Sequence, residues 1–549
     1  MKHWGWILCC LLAVSLLVSG CNTSVAEPGD LIGDSDPAAE TSDVNSPDQP
    51  EGDTLASWSS FDMNTEWKGS DTFLRCSGND VSMEGGGATF ASGKLSITEA
   101  GTYVLSGTLE GHIYIEVPDT DKVHLIFNSF ALTCADYSPV YCEEADKVSI
   151  TLAEGTENSV TDNGSGYVQG ASTGNGRYAG AIHSKSSLTI NGTGSLSVVT
   201  TYRHGVVSNK NLRIVSGTIT VQAPEDGMKG KNSLSARGGT VRVTAGGDGL
   251  KVTKEKDEEK GYLAIEGGDF TIEAGGDGLD VTRLIQVTGG TLRVNSIDHA
   301  LRSMGSVEIG GSALLELDAH SGKNDSNAKG IKAEGNVEIS GGTIRITRSF
   351  EGIESREGSL RISGGHIEVT ARDDGINAET LIAISGGYLF IHATGDGIDC
   401  NGDIEISGGT TVVQGPTSNS FGALDCGDND VIRVTGGVLI AYGAAGEAKY
   451  PDASQSTQYA MGYTVTLRQG TVYSLRDANG NAICTFEALQ NAQSLCISTP
   501  DMQNGATYKL FEGALPTGDA ENGFYADSTA AGGNGILTFT VSSILSTNQ

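Results

Sequence analysis

The stretch Asp373–Gly409, "DDGINAETLIAISGGYLFIHATGDGIDCNGDIEISGG", states one pattern twice. Each copy reads Asp-Gly-Ile, a short polar gap, an alternating apolar segment, Gly-Gly, and a second alternating apolar segment. Apolar residues at every second position indicate β-strands. The two copies therefore predict short strands and tight turns that recur at even spacing.

The same pattern recurs along most of the chain. We call the glycine that follows its acidic position the slot glycine, and most steps between slot glycines are 22 or 23 residues. The slot glycines are Gly205, Gly227, Gly249, Gly278, Gly330, Gly352, Gly375 and Gly397, and Ala300 and Ala423 occupy the same place in their repeats. A fixed period of this length predicts a solenoid. The recurring Gly-Gly pairs predict a corner that needs positive φ.

Each repeat is long enough for three short strands. The residues predicted to face inward in one repeat are Ile376, Ala378, Ile382, Ile384, Leu389 and Ile391. Three strands can close one coil, and stacked coils would pair equivalent strands in parallel, about 4.8 Å apart. The pattern thus predicts an all-β parallel β-helix with coils of about 22 residues. A leucine-rich horseshoe fits poorly, because no helix-forming stretch separates the strands.

The N-terminus is predicted to be an export and anchoring segment. Residues 1–21 have the basic start and short apolar run of a signal peptide, ending in a lipobox-like sequence with Cys21 as the lipidated residue. Residues 22–58 are acidic and Pro-containing, without Lys or Arg, and are predicted to be a flexible linker. The protein is therefore expected on the extracellular face of a bacterial membrane, held by its lipid.

The remaining chain divides into two predicted regions. Residues 59–445 are assigned to the β-helix, with the stretch Gly155–Gly180 as a loop extending from a coil. Residues 446–549 lose the period and are predicted to form a small β-rich C-terminal cap or domain. A hairpin is expected around Asn479-Gly480.

The composition excludes some classes of function. A formal net charge of −33 argues against nucleic acid as a partner, because phosphate binding needs clustered Lys and Arg. An acidic ligand would also be repelled unless a cation mediated the contact. After Cys9, Cys10 and Cys21, seven cysteines remain, and none has the spacing of a zinc site. Cys400 and Cys426 are predicted to stack, either as a disulfide or as two small buried residues.

The solenoid register places polar side chains in two columns at one corner. The preceding column holds the residue before each slot glycine, and the following column holds the residue two after it. Stacked carboxylates about 5 Å apart would repel by roughly 3 kcal/mol at an effective dielectric constant of ~20. Asp-Gly is also ordinary turn chemistry, so both interpretations stay open for any single aspartate.

Two acidic clusters emerge from these columns. The first is predicted around Asp248, Asp277 and Asp280. The second consists of Glu351, Glu354, Asp374, Asn377, Asp396 and Asp399, and no basic neighbour is expected within its columns. Five carboxylates and an amide form an oxygen-rich pocket, which is the donor set that Ca²⁺ selects. Calcium is therefore the predicted cofactor.

Longer motifs resemble a known family. "SFEGIESREGSLRISGGHIEVTARDDGINA" and "AIHSKSSLTINGTGSLSV" are similar to bacterial carbohydrate-binding β-helix proteins of the clostridial surface type, which bind cellulose and acidic sugars such as polygalacturonate. The resemblance implies a right-handed parallel β-helix with several calcium ions. It assigns Ca²⁺ to the acidic positions above other than Asp280. His299 and Lys329 depart from the family's acidic pattern, so calcium is not expected at their coils.

Two functions follow from these observations. The first is a monomeric, surface-anchored module that binds polysaccharide through calcium, with Lys332, Arg302 and Tyr388 as possible sugar contacts and no catalytic residue. The alternative is a calcium-dependent polysaccharide lyase, in which a Lys or Arg such as Lys332, Arg302 or Lys329 removes the proton at C5. These basic residues would otherwise balance charge in the acidic columns. A purely structural stalk is a third class.

Overall fold

The computed structural model describes residues 55–164, 179–320, 327–526 and 529–548. The predicted signal peptide 1–21, the lipidation site Cys21 and the predicted linker up to residue 54 lie outside these ranges. Within the ranges, no helix has the length and apolar character that crossing a membrane would require.

The described chain is nearly all β and is dominated by long parallel ladders, because each repeat contributes three strands that pair with the equivalent strands of the next repeat. The first ladder comprises Lys94–Ile97, His112–Glu116, Val140–Glu144, Gly180–Ser184, His204–Ser208, Met228–Gly230, Leu250–Val252, Leu279–Val281, Leu301–Ser303, Ile331–Ala333, Ile353–Ser355, Ile376–Ala378, Ile398–Cys400 and Leu424–Cys426. The second ladder comprises Lys147–Leu152, Ser187–Gly192, Asn211–Ile214, Ser233–Ala236, Tyr262–Ile265, Leu284–Val287, Ser306–Ile309, Val337–Ile339, Ser359–Ile362, Leu381–Ile384, Asp403–Ile406 and Ile432–Val434. The third ladder comprises Glu157–Asp162, Ser195–Thr200, Thr218–Ala223, Thr240–Ala245, Asp269–Ala274, Thr291–Ser296, Leu314–Ala319, Thr343–Arg348, His366–Ala371, Tyr388–Ala393, Thr410–Gln414 and Val438–Gly443.

The apolar alternation decides which side chains form the core. All six residues predicted to face inward in the repeat at 376–391 are buried, none more than 1% exposed. Each stacks on its equivalent in the next coil, so that Ile376 pairs with Ile398 and Ile382 pairs with Ile404. The inward residues of successive coils thus form one continuous hydrophobic core. The prediction of three buried strands per repeat is confirmed.

The two glycine series have different physical causes. The second glycine of the Gly-Gly corners has positive φ, for example 83° at Gly387 and 74° at Gly409, as predicted. The slot glycine is needed for space instead. A Cβ on Gly375 would lie 2.2 Å from Ile391 Cγ2 and 2.4 Å from the Gly397 carbonyl oxygen. Any side chain at that position would therefore collide with the core and with the next coil.

The loop predicted for Gly155–Gly180 is wrong at both of its described ends. Glu157–Asp162 is a strand that pairs in parallel with Ser195–Thr200, and Gly180 begins the strand Gly180–Ser184. Its polar residues alternate with buried ones and Asn158 hydrogen-bonds across the coils, so composition alone misidentified it. Residues 165–178 lie outside the described chain.

The N-terminal part adds five strands and one helical turn to the stack. The strands are Thr72–Gly78, Asp80–Glu84, Ala88–Ala91, Gly101–Glu110 and Lys122–Cys134, and the helix is Ser60–Met63. Residues 55–64, which we call the N-terminal strap, lie on the outer face of the second ladder. Ala56 is only 5% exposed, and the Trp58 indole N–H donates to Glu266 at 3.1 Å. The predicted end of the flexible linker at residue 58 is therefore too late.

The C-terminal residues form mainly antiparallel strands beside the third ladder, with Leu545–Thr547 parallel to Ala460–Leu467. They are Ala460–Leu467, Thr471–Arg476, Ala482–Ala488, Ala492–Ser498, Thr507–Glu512, Leu515–Pro516, Ala530–Ala531, Asn534–Thr540 and Leu545–Thr547. Thr471–Arg476 and Ala482–Ala488 form the hairpin predicted around Asn479-Gly480. Ala492–Ser498 pairs with Val438–Gly443 and so covers the open edge of the last coil.

Candidate functional site

The following column runs along the outer face of the first ladder. Each of its residues is in Cα register with the equivalent residue one coil away, as predicted. From Lys229 onward the column reads Lys229, Lys251, Asp280, Arg302, Lys332, Glu354, Asn377, Asp399 and Asp425. Its earlier part is mainly basic and its later part is acidic. Asp425 was missed in the sequence, although its place two residues after Ala423 could have revealed it.

The preceding column is linked by hydrogen bonds from backbone to side chain. The Asp277 N–H donates to Asp248 Oδ1 at 2.8 Å, and the Asp396 N–H donates to Asp374 Oδ1 at 2.7 Å. One oxygen of each carboxylate therefore serves the turn of the next coil. These hydrogen bonds give the aspartates a structural role between coils, and their second oxygen is left for a cation or a basic side chain.

The first predicted cluster is neutralised by the protein's own cations. Lys251 Nζ contacts Asp248 and lies 3.0 Å from Asp280 Oδ2. Arg302 Nη1 lies 2.7 Å from Asp280 Oδ1 and 3.8 Å from Asp277 Oδ2. The three predicted calcium ligands do lie together, but two basic side chains already supply the positive charge that a metal would bring.

Asp277 also faces residues that the sequence analysis did not select as ligands. One ligand atom each from Asp277, Asp298 and His299 lie within 4.8 Å of one another. Burial, together with the charges of Asp248 and Asp298, raises the pKa of Asp277 to about 8. Burial lowers the pKa of His299 to about 3, so its ring is neutral. Arg302 remains close enough to Asp277 to compete with a cation here.

The second predicted cluster is the more open to a cation. One carboxylate oxygen each from Glu351, Asp373 and Asp374 lie within 4.8 Å of one another. Asp396 and Asp399 belong to the next coil, where Asp399 is the register partner of Asn377. We call Glu351, Asp373, Asp374, Asp396 and Asp399 the acidic cluster. Asp373 was not selected from the sequence, although the doubled Asp-Asp before Gly375 signals it.

The prediction that this cluster has no basic neighbour is wrong at one end. Lys329 Nζ contacts Glu351 and lies 3.8 Å from Glu354 Oε2. Lys332 Nζ lies 3.9 Å from Glu354 Oε2 and 3.9 Å from Glu334 Oε1. Both lysines come from the coil before Glu351 and reach forward along the stack. Glu354 is therefore held between two lysines and is a poorer calcium ligand than predicted.

The other end of the acidic cluster is less compensated: Lys449 Nζ lies 2.5 Å from Asp425 Oδ1 and its charge opposes the rise in the pKa of Asp396, but it forms no ion pair with the cluster itself. None of the described residues forms an ion pair with Asp374, Asp396 or Asp399. The Asn377 amide donates to Asp399 Oδ2 at 2.7 Å, and the Gly422 N–H donates to Asp396 Oδ1 at 2.6 Å. Neutral N–H groups thus donate to one oxygen each of Asp399 and Asp396, and the negative charge of both carboxylates remains.

The pKa values express this uncompensated charge. Burial raises the pKa of Asp374 to about 6, and the neighbouring charges of Asp373 and Asp396 add to the shift. Burial also raises the pKa of Asp396 to about 6 and that of Asp399 to about 7. Asp374 and Asp396 add to the shift of Asp399 because like charges disfavour its ionisation. A divalent cation would remove this penalty.

Three features fit the acidic cluster to a hard cation. All of its side-chain ligand atoms are oxygens, which Ca²⁺ prefers. Glu351 Oε2 is buried and accepts no hydrogen bond from the described chain. Gly395 opens the space between two carboxylates, because a Cβ there would lie 2.5 Å from Asp373 Oδ1 and 2.6 Å from Asp374 Oδ1. A cradle of converging oxygens over a glycine is suited to an ion rather than to a side chain.

Of the three predicted sugar contacts, Tyr388 lies apart from the other two. Arg302 and Lys332 are neighbours in the following column, and both pair with carboxylates. Tyr388 lies in the third ladder, where its ring stacks on His366 at a centroid distance of 4.8 Å. Its hydroxyl donates to the Glu521 carbonyl oxygen at 3.1 Å. Tyr388 therefore packs at the junction with the C-terminal strands.

Comparisons with known proteins find a matching family model, a related sequence and a similar solved structure. A family model described as carbohydrate-binding domain-containing protein matches residues 91–358 and 349–498. A protein of that description from Acetivibrio thermocellus is 29% identical over 259 residues, which are 47% of this chain and 79% of that protein. The gadolinium derivative of a polysaccharide lyase-like protein from C. thermocellum is a similar solved structure, at 29% identity and a TM-score of 0.44, covering 45% of this chain and 100% of that one.

Proposed function

Because the chain belongs to the family of carbohydrate-binding domain-containing proteins, we propose that it binds an acidic polysaccharide, such as polygalacturonate, through Ca²⁺ held at the acidic cluster. One observation carries this proposal. Asp374, Asp396 and Asp399 lie in adjacent coils, have no ion-pair partner among the described residues, and have pKa values raised by burial. Such a site favours a divalent counter-ion over three protonated carboxyls.

The residues around the acidic cluster suit an acidic chain. A bound Ca²⁺ would supply positive charge and open coordination positions for uronate carboxylates. An extended glycan lying along the first ladder would next meet Lys332 and then Arg302, one coil apart, or about 4.8 Å. Both side chains are partly exposed and could pair with further uronates.

The cellular setting follows the same proposal. Lipidation of Cys21 after cleavage of residues 1–20 would anchor the protein at the extracellular face of the bacterial membrane, as a monomer. Labelling cells with a radioactive fatty acid tests this. The label should appear on the wild-type protein and disappear in Cys21→Ser. Label that persists in Cys21→Ser would contradict the anchor.

We also propose that the stacked repeats form a right-handed parallel β-helix. Each strand of a ladder reaches the next through a crossover, and crossovers between parallel strands of one sheet are right-handed in about 98% of cases. An experimental electron-density map at side-chain resolution would test the handedness directly.

The central experiment measures binding and product formation together. The full chain is incubated with polygalacturonate in Ca²⁺ or in chelator, then followed by co-sedimentation and by ultraviolet absorbance of unsaturated products. Retention in Ca²⁺ that is lost in chelator, with flat absorbance, supports the binding proposal. Equal retention in both buffers would contradict a calcium bridge.

The same measurement addresses a lyase. Lys329, Lys332 and Arg302 each pair with a carboxylate, which favours charge balance over proton abstraction. Absorbance that rises steadily with wild-type protein, and no longer rises with Lys332→Ala, would instead support calcium-dependent lyase activity. Wild-type protein heated until its circular dichroism signal is lost serves as the control for chemical breakdown of the polymer.

A further inference from the structure

The second ladder carries an open groove whose lining strands do not include those of the acidic cluster. We propose that this groove binds a linear, uncharged polysaccharide along the stack axis, without a cation. The proposal rests on the proposed function in one respect only, namely that the protein binds glycans. It differs in location, in ligand charge and in its independence of calcium.

A row of hydroxyl groups forms one wall of the groove. The residue before the Gly-Gly corner is serine in four consecutive coils, at Ser340, Ser363, Ser385 and Ser407, and all four are exposed. Ser340 and Ser385 make only long contacts of 3.5 Å to carbonyl oxygens of the coil before. Their hydroxyls are therefore available to a ligand.

The glycines after each serine leave no side chains beside the row of hydroxyl groups. A Cβ on Gly386 would lie 2.4 Å from the Ser363 carbonyl oxygen, and one on Gly409 would lie 2.6 Å from the Gly387 carbonyl oxygen. Side chains are thus excluded beside the hydroxyl row by the stacking of the coils. The result is an unobstructed track with one hydroxyl every ~4.8 Å. A linear chain of pyranose rings advances by a similar distance per ring.

Charged side chains form the other wall. Glu308, Glu338, Arg361 and Glu405 point outward from the second ladder, with Ala383 as a recess between Arg361 and Glu405. Glu405 is already paired with Arg433, so two carboxylates remain against one guanidinium, and this negative balance would repel a uronate chain or a nucleic acid. A neutral polyhydroxyl chain offers donors to the carboxylates and acceptors to the guanidinium.

Glu338 and Arg361 are free to make such contacts. They are register partners in adjacent coils, yet neither side chain forms a hydrogen bond or ion pair with any described residue. By contrast, Glu308 accepts from Gln286 at 2.9 Å and Glu405 pairs with Arg433. The two unpaired groups lie in the middle of the groove, beside the hydroxyl row.

The protein itself shows that this face accepts a polymer. The N-terminal strap runs along the same ladder, from Asn191, which donates to the Asn64 carbonyl oxygen at 2.9 Å, to Glu266, which accepts from Trp58. The open groove begins in the next coil, at Gln286. Backbone groups of these strands already pair with the coils on either side, so a ligand must be held by side chains, as the strap is.

The test uses the full chain in chelator, so that the acidic cluster holds no divalent cation. Affinity electrophoresis in hydroxyethyl cellulose and calorimetry with cellohexaose measure neutral binding. Arg361→Ala removes the unpaired guanidinium, and Ser385→Lys obstructs the track at an exposed position. Arg242→Ala is the matched control, because Arg242 is an exposed outward arginine of the third ladder. Unchanged melting temperatures establish that the variants fold.

We expect wild-type binding in chelator, about tenfold weaker binding in Arg361→Ala and Ser385→Lys, as for one lost charge-assisted hydrogen bond, and no change in Arg242→Ala. Binding that is equal in all four proteins would overturn the groove as the site. Absence of neutral binding, with calcium-dependent polygalacturonate binding intact, would overturn the groove alone. Binding of the neutral glycan without any binding of polygalacturonate would instead contradict the proposed acidic ligand and still support the groove as a site for a neutral one.

Discussion

Asn377 donates a hydrogen bond from Nδ2 to Asp399 Oδ2 at 2.7 Å, from one coil to the next. The two residues are register partners in the following column, flanked by Glu354 and Asp425. The amide is thus a neutral step in a run of carboxylates. It holds Asp399 in place without cancelling its charge. Replacing the amide nitrogen by an oxygen would turn residue 377 into a further carboxylate.

Asn377→Asp should strengthen cation binding and weaken the cation-free protein. The new carboxylate would lie beside Asp399 and repel it by roughly 3 kcal/mol at an effective dielectric constant of ~20. We expect a lower melting temperature in chelator and a higher Ca²⁺ affinity by calorimetry. Asn295→Asp is the control, because Asn295 donates to Glu273 at 2.6 Å in the third ladder, away from the acidic cluster. An equal gain in Ca²⁺ affinity in both variants would contradict the site.

Asp374→Asn should lower Ca²⁺ affinity by at least about tenfold, since ligand charge sets the affinity of such sites. The asparagine oxygen can still accept the Asp396 N–H, so the turn should survive. Asp248→Asn is the matched control, because its Oδ1 accepts the Asp277 N–H in the same way while Lys251 already balances its charge. Titration with Tb³⁺ luminescence compares the two. A larger loss in Asp248→Asn would place the cation in the first cluster instead.

Without cations, the acidic cluster should stabilise the folded protein less as pH rises. The folded-state pKa values of Asp374, Asp396 and Asp399 lie at about 6 to 7, above the ordinary value of 3.8. A carboxyl whose pKa is raised on folding stabilises the protein at pH values below its ordinary pKa. This contribution is lost as the pH rises through the folded-state pKa. In chelator the contribution of these three carboxyls to the melting temperature should therefore decrease between about pH 4 and about pH 8. Burial lowers the pKa values of His112 and His124 to about 4 and that of His299 to about 3, so these histidines contribute in the opposite direction up to their ordinary pKa of 6.5, and the carboxyl contribution is measured as the difference between wild type and Asp399→Asn.

Added Ca²⁺ should remove most of that decrease, because it binds the ionised carboxylates of the folded state. Differential scanning calorimetry at a series of pH values, with and without Ca²⁺, measures both curves. Asp399→Asn should flatten the curve in chelator. Curves that coincide with and without Ca²⁺ at every pH would show that no cation binds there.

Gly375→Ala should destabilise the stack by about 1–3 kcal/mol, because the added methyl group overpacks the coil. The Cβ would meet Ile391 Cγ2 at 2.2 Å and a carbonyl oxygen of the next coil. Gly86→Ala is the control, since nothing lies within 4 Å of the position that its Cβ would take and its φ is not positive. Chemical denaturation should separate the variants, and equal midpoints would contradict the packing argument.

Asp62→Ala should release the N-terminal strap. Asp62 is fully buried, and Lys147 Nζ lies 2.9 Å from its Oδ1. Burial opposes its ionisation, but hydrogen bonds from Ser59, Thr189 and Lys147 outweigh this and lower its pKa to about 2. Breaking such a pair costs about 3–5 kcal/mol. Limited proteolysis should cut the strap sooner in Asp62→Ala than in wild type.

The control for the strap is Glu66→Ala, since the Glu66 side chain is exposed and makes no ion pair with the described chain. Its cleavage rate should match that of wild type. Arg213 Nε also holds the strap, by donating to the Ser57 carbonyl oxygen at 3.2 Å. Cleavage that is unchanged by Asp62→Ala would mean that the Trp58 and Arg213 hydrogen bonds hold the strap without the buried ion pair.

Part of the site was predictable and part was not. The placement of Asp374, Asp396 and Asp399 follows from register alone, because a repeat of nearly constant length brings equivalent positions above one another. The contact between Lys329 and Glu351 was not predicted, because a flexible side chain can reach forward by one coil and the backbone register does not specify this reach. Asp298 and Asp373 were not predicted, because each lies one residue before the preceding column. Their side chains reach the site only through the geometry of the turn.

The amino-acid sequence by itself determined the repeating strands, the buried residues and the columns, because period-two alternation and a repeat of about 22 residues leave one consistent stacking. Tertiary structure alone decided which carboxylates are neutralised, since that depends on side-chain reach between coils. It also decided that the N-terminal strap covers the second ladder as far as Glu266, while the groove from Gln286 onward stays open. Contacts such as Trp58 with Glu266 join residues 208 positions apart, and no local pattern encodes them.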